Sequence, residues 1–171
     1  DRMTAVAKGE LKRLIVNMPP RHTKSEFASI YFPSWMMGLR PNLKIMQTTH
    51  TADLSINFGR KVRNLMDTEE YKRIFSDVNL AADSKSAGHW HTSTGGEYRA
   101  AGVGGASAGR GADLLIIVDP HSEQDAMSMN LLDSCYEWYT SGPRQRLQPG
   151  GAIVIVMTRW STMDLTGRVL T

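Results

Sequence analysis

Met18-Pro19-Pro20-Arg21-His22-Thr23-Lys24-Ser25 lies between the apolar run Leu14-Ile15-Val16 and a helix-like stretch that begins near Lys24. A strand feeding a polar turn that ends in Lys-Ser and then a helix is the P-loop arrangement. Such a turn aims successive backbone N–H groups and the helix N-terminus at phosphate oxygens, while the lysine reaches the β- and γ-phosphates and the serine hydroxyl reaches Mg2+. Both glycines of G-x-x-x-x-G-K-[ST] are absent here, with Met18 and Thr23 in their places. Taken alone, a Lys-Ser at a helix start is more often a solvated first turn than a nucleotide site. The rest of the chain has to decide.

Composition sets the bounds. The 171 residues fit one domain of ordinary size, and 41% apolar with 22% charged residues is the balance of a globular chain able to bury a core. The longest apolar runs, 114–118 and 152–157, are far too short to cross a bilayer, and no basic-then-apolar leader opens the chain. A cytoplasm is the expected location. Position 1 is Asp, which suggests an excised fragment. The single Cys135 has no partner for a disulfide and reads as a small apolar residue in a helix. Net charge is +3 and the pI is near 9.1. The clusters Arg60-Lys61-x-Arg63, Lys72-Arg73 and Arg144-x-Arg146 leave room for an anionic partner, although scattered basic residues are ordinarily a solvated surface.

Hydrophobic patterning predicts strands over 11–17, 44–49, 114–118 and 153–157. A helix is expected over residues 1–9, ending at Gly9. Another runs from Lys24 toward Met37 with Phe27, Ile30, Tyr31 and Ser34 on one face, and Pro33 should kink or stop it. Thr51 can cap a helix with Leu54, Phe58, Val62 and Leu65 facing the core, and a short helix fits 68–75. Thr94-Gly95-Gly96 between 89–93 and 97–101 is a hairpin signal. His89 and His91 share a strand face. With no third ligand close by in the sequence, they read as exposed or hydrogen-bonded histidines rather than a metal site. The glycine-rich segment 102–111 reads as a connector. Ser122, with Asp125 three residues on, is the expected N-cap of a helix to about Tyr139 that buries Leu132, Cys135 and Tyr139. A loop should surround residues 148–151, and a last helix should begin near Ser161.

Strand, helix, strand, helix, hairpin, strand, helix, strand is the order of a mainly parallel sheet with helices on both faces. Ligands bind such sheets at the carboxyl ends of the strands. Three polar groups fall there: Lys24-Ser25, Asp119 and Thr158-Arg159. Phosphoryl transfer from ATP to water needs charge neutralisation, a metal and a positioned water. Lys24 and Arg21 supply positive charge and Ser25 a Mg2+ ligand. Asp119 either holds Mg2+ through water or polarises the attacking water, and Glu123 is a distant second candidate. Asp119 before Pro120 could equally be a turn cap.

Together these residues resemble a known family. The chain is similar to the ATPase domain of the large terminase subunit, the DNA-packaging motor of tailed double-stranded DNA bacteriophages. Residues 18–25 resemble that family's variant Walker A. Gly95-Gly96 through Arg99-Ala100-Ala101-Gly102-Val103-Gly104-Gly105 resembles its segment before Walker B, Gly109-Arg110-Gly111-Ala112-Asp113-Leu114-Leu115-Ile116-Ile117 leads into Walker B, and Thr158-Arg159-Trp160 looks like its coupling motif. The resemblance implies a single P-loop NTPase domain over residues 1–171, a RecA-like core of the additional-strand class with a β-hairpin insertion, and ATP and Mg2+ as ligands. It implies nucleotide binding by Pro20, Arg21, His22, Thr23, Lys24 and Ser25, with Arg21 at the γ-phosphate and Ser25 and Asp119 at the metal. Arg110 matches a position that acts as an arginine finger toward a neighbouring subunit. Thr158, Arg159 and Trp160 would relay nucleotide state to the DNA-gripping parts. The implied partners are double-stranded DNA, the small terminase subunit, the procapsid portal and further copies in a ring, and the implied location is the host cytoplasm.

Two departures qualify this. Where the family commonly shows two acids after the apolar strand, this chain has Val118-Asp119, which predicts weak hydrolysis. The family's upstream adenine-contacting segment and its C-terminal nuclease carboxylates have no counterpart here; Asp164 stands alone and reads as a surface or capping residue. The alternatives are a helicase-like P-loop translocase and a nucleotide-binding module with little or no turnover.

Overall fold

The computed structural model describes residues 1–84, 86–105 and 111–171. Among these, β1 (Arg13–Asn17), β2 (Lys44–Thr49), β3 (His89–His91), β4 (Glu97–Gly102), β5 (Ala112–Val118) and β6 (Leu147–Met157) form one sheet in the order β1-β6-β5-β2-β4-β3. Every neighbouring pair is parallel except β3 with β4. The last strand in the chain thus lies between the first and the fifth.

Successive side chains on a strand point to opposite faces, so the unbroken apolar runs of β5 and β6 demand cover on both. Leu114, Ile116, Val118, Val154 and Val156 pack on one face with Val6 of α1 (Arg2–Ala7), Phe32, Met36 and Met37 of α3 (Phe32–Leu39), and Val62 and Met66 of α4 (Ala52–Met66). Leu115, Ile117, Ile153 and Ile155 pack on the other with Cys135 and Tyr139 of α6 (Met129–Ser141) and Leu165 of α7 (Leu165–Leu170). The expected α/β architecture with helices on both faces is therefore observed. No helix among the described residues is long and apolar enough to cross a membrane.

Several local expectations are corrected. The hairpin is no insertion: β4 pairs with β2 along its whole length and is part of the main sheet, with β3 as its edge. Pro33 does not end the helix after Lys24. The three-residue α2 (Lys24–Glu26) continues through a π-helical turn, Phe27–Tyr31, into α3. Proline has no N–H to give and its ring crowds the carbonyl four residues back, so the wider turn just ahead of Pro33 relieves both demands. That turn also changes the buried face. Of the expected face, Ile30 and Ser34 are buried but Phe27 and Tyr31 are exposed, and Ala28, Ser29 and Phe32 are buried beside them.

Thr51 caps α4 as expected, Leu54 N donating to its Oγ1 at 3.3 Å, and Thr68 caps α5 (Glu69–Ile74). Ser122 and Asp125 bond each other's backbone N–H groups, but they open only a 3-10 turn, and Ser128 is the N-cap of α6. Residues 148–151 belong to β6 rather than to a loop. They stand opposite the single residue Asp113 in a register shift, since Ala112 faces Leu147 while Leu114 faces Ala152, and Gly150 takes φ +82° within it. α7 begins at Leu165, later than the expected start near Ser161, with Asp164 as its cap.

The pairing also fixes where strands stop. Asn17 lies beside Met157, Val118 beside Val156, and Ile117 beside Thr48. The residues that follow β1, β2, β5 and β6 are thereby gathered at one edge.

Candidate functional site

Backbone pairing of β1 extends one residue further, Met18 N donating to Met157 O at 3.2 Å. Pro19 and Pro20, which lack N–H groups, then take the chain out of the ladder. The loop that follows turns back through two left-handed residues, Arg21 at φ +63° and Thr23 at φ +56°. Glycine is the residue that ordinarily meets such angles, and Thr23 occupies the place of the motif's second glycine. His22 Nδ1 lies 2.8 Å from Pro20 O, and Thr23 Oγ1 donates to His22 O at 2.7 Å. Lys24 and Ser25 open α2 immediately afterwards.

Both side chains meet Asp119. Ser25 Oγ donates to Asp119 Oδ2 at 2.7 Å across 94 residues of sequence, and Lys24 Nζ stands 3.1 Å from the same oxygen. The other carboxylate oxygen, Oδ1, accepts from Thr158 N at 3.1 Å, and Thr158 Oγ1 donates to Met18 O at 3.2 Å. Asp119 is itself left-handed, at φ +43°. Its N–H donates to Val156 O at 2.9 Å and its carbonyl accepts from His50 N at 3.2 Å, which ties in the end of β2. The Lys24 side chain is only 7% exposed and that of Asp119 24%. The three strand-end groups expected from the sequence are thus brought together, with Thr158 rather than Arg159 as the member that joins from β6.

Arg159 and Trp160 point to a different carboxylate. Asp164 is fully buried and accepts four bonds: from Arg159 Nε at 3.0 Å, Trp160 N at 2.9 Å and Ser161 N at 3.1 Å on Oδ2, and from Gly167 N at 2.9 Å on Oδ1. Burial pushes its carboxyl pKa up, but the N–H groups of Gly167, Trp160 and Ser161 and the Arg159 guanidinium outweigh that and hold it below the usual range. The expectation of a surface residue is corrected, and that of a cap holds. His121 is buried beside it, its Nε2 accepting from Leu165 N at 3.0 Å, so the segment after Asp119 is bonded to the start of α7. Burial pushes the His121 pKa down, and the nearby carboxylates of Asp164 and Asp125 only partly counter this.

Arg21 is exposed on the loop. Glu123 is exposed in the turn after His121, and no contact among the described residues joins it to Asp119. Arg110 lies outside the described residues. Val118, where the resemblance would put a second acid, is 1% exposed in the apolar cluster with Leu14, Ala28 and Val156. Sequence reasoning missed His50 and His121, whose links to Asp119 and α7 each end on a backbone group of the partner and so carry no spacing signal.

Chemically, an ammonium group, a left-handed backbone loop and a helix start suit an anion. The Ser25 hydroxyl and the Asp119 carboxylate are hard oxygen donors of the kind Mg2+ takes. No protein-family model and no curated protein matches the sequence.

Proposed function

We propose that the chain is the ATP-hydrolysing motor domain of a large terminase subunit, which uses ATP and Mg2+ to drive double-stranded DNA into a procapsid in the host cytoplasm. The observation that carries this reading is the meeting of Lys24 Nζ and Ser25 Oγ on one oxygen of Asp119, with Thr158 N on the other. Strand order supports it as well. β6 is added between β1, which carries the loop, and β5, which carries the acid, as a P-loop core of the additional-strand class requires.

In this reading Lys24 and the backbone of residues 20–25 hold the phosphates, and Ser25 and Asp119 hold Mg2+, which when bound neutralises charge on the transferring phosphoryl group. Arg21, exposed on the loop, extends toward the γ-phosphate. Asp119 gives up its bond to Lys24 when the lysine turns to phosphate, and its other oxygen keeps Thr158 N. A change at the nucleotide therefore pulls on the strand end that leads to Arg159 and Trp160. Arg110 serves a neighbouring copy of a ring, and the small terminase subunit and the portal are the remaining partners.

The test compares nucleotide binding by calorimetry with phosphate release, both with Mg2+ and duplex DNA. Lys24→Ala should weaken binding of an ATP analogue roughly tenfold or more. Asp119→Asn should keep binding and lose about 100-fold or more in phosphate release. Unchanged nucleotide affinity in Lys24→Ala would sink the reading. A second reading, a nucleotide-binding module with little or no turnover, is favoured by Val118, whose side chain is packed in the apolar cluster. Binding without phosphate release in the unmodified chain would select it.

A further inference from the structure

The β3–β4 hairpin carries a second cluster of ligand-type side chains that takes no part in the strand-end site. His89 and His91 stand two residues apart on β3, hence on one face, and Glu97 is directly across from His91 on β4. The turn between them brings Glu97 to histidines that sequence spacing leaves without a third ligand. On the opposite face of the same hairpin, Trp90 stacks on Tyr98 with ring centroids 4.9 Å apart and planes 5° from parallel. Both are fully buried, and Trp90 Nε1 donates to Gly59 O at 3.2 Å. The hairpin's back is therefore locked into the core, which fixes what its front presents.

On the front, one nitrogen of each imidazole and one Glu97 carboxylate oxygen all lie within 4.8 Å of one another. His89 Nε2 is 2.7 Å from Glu97 Oε1, and His91 Nε2 is 3.9 Å from the same atom. The second separation is too long for a hydrogen bond but short enough for the two atoms to share one ion. Tetrahedral zinc ligands at metal distances of about 2.0–2.1 Å stand about 3.3 Å from each other, between the two separations seen here. Ser84 adds an outer contact. It accepts from His91 N at 2.7 Å, and its Oγ lies 3.5 Å from His91 Nδ1, the arrangement that turns Nε2 toward a metal. All three ligand side chains keep part of their surface in solvent, so a cation can reach them.

We propose that His89, His91 and Glu97 bind one Zn2+ ion, with water completing its coordination. Two imidazoles and one carboxylate are a borderline set that takes Zn2+ in preference to Mg2+, which favours all-oxygen surroundings. Bound there, the ion ties the edge strand β3 to β4 and stiffens the end of the sheet.

The test uses the full, untagged chain stripped of metal and titrated with Zn2+ by calorimetry in excess Mg2+, with Co2+ as an absorbing probe. One Zn2+ per chain is expected at a Kd below about 10 µM, with the intense visible bands of four-coordinate Co2+. His91→Ala and Glu97→Gln should each weaken Zn2+ at least tenfold and flatten those bands, and His22→Ala should change neither. Each variant's metal-free melting temperature, read beside the unmodified chain's, shows that it is folded, and Zn2+ should raise the melting temperature of the unmodified chain and of His22→Ala more than that of His91→Ala or Glu97→Gln. Full Zn2+ affinity in both His91→Ala and Glu97→Gln, or no uptake at 100 µM Zn2+, on the order of ten times that Kd, would overturn the proposal.

Discussion

Asp119 and Asp164 stand on either side of Thr158-Arg159-Trp160 and are held in opposite ways. Two of the three donors to Asp119 are side chains, the Lys24 ammonium and the Ser25 hydroxyl, and the carboxylate keeps 24% of its surface. Three of the four donors to Asp164 are backbone N–H groups, and it has no exposed surface. A side-chain donor can rotate to a new acceptor at little cost. A backbone donor cannot leave without undoing the turn that holds it. The first carboxylate is thus built to change partners and the second to keep them, although both lie at the same edge of the sheet.

The largest effect that would break this contrast is on stability. Asp164→Ala strands the Arg159 guanidinium and the N–H groups of Trp160, Ser161 and Gly167, and should cost about 3–5 kcal/mol, or a fall of about 10 °C in melting temperature. A loss below roughly 1 kcal/mol would mean that water replaces those bonds and that Asp164 is no fixture.

Acid unfolding gives a smaller and sharper comparison. The folded pKa of Asp164 is depressed, so its contribution is present above the unfolded value of about 3.9 and is lost as pH falls through the lower folded value. Urea unfolding at a series of pH values should therefore show stability falling more steeply below about pH 4 in the unmodified chain than in Asp164→Asn. Parallel acid limbs would remove Asp164 as a source of that slope.

The smallest effect belongs to the other side. Thr23, β-branched and at φ +56°, bears strain that glycine would release, while glycine also loosens the unfolded chain. Thr23→Gly should gain roughly 0.5 kcal/mol net, read as a shift in the urea midpoint at constant slope. A loss instead would mean that the Thr23 Oγ1 bond to His22 O outweighs the strain.

Legibility in the sequence followed the range of the interaction. β2 is found at the residues predicted, because its apolar run and flanking turns are local. Lys24, Ser25, Asp119 and Thr158 were legible as strand-end groups because an alternating α/β order places all parallel strand ends together. What escaped was whatever depended on fit between distant parts. The π-helical turn before Pro33 reflects how the helix settles on the sheet, and the bulge at 148–151 reflects the pairing of β6 with β5. Asp164, which reads from the sequence as a surface or capping residue, becomes a buried fixture only through the donors that folding supplies.

One consequence follows from the wide turn at Phe27–Tyr31. An α-helix advances about 100° per residue, so the extra residue of a π turn offsets everything before it by roughly that angle from everything after it. Met36 and Met37 grip the core on one side of the turn, and Lys24 and Ser25 face Asp119 on the other. The helix therefore carries a phase setting. Deleting one residue within 27–31 would leave both halves helical and the buried face of α3 seated, yet would swing Ser25 by about a quarter turn from the oxygen it now meets.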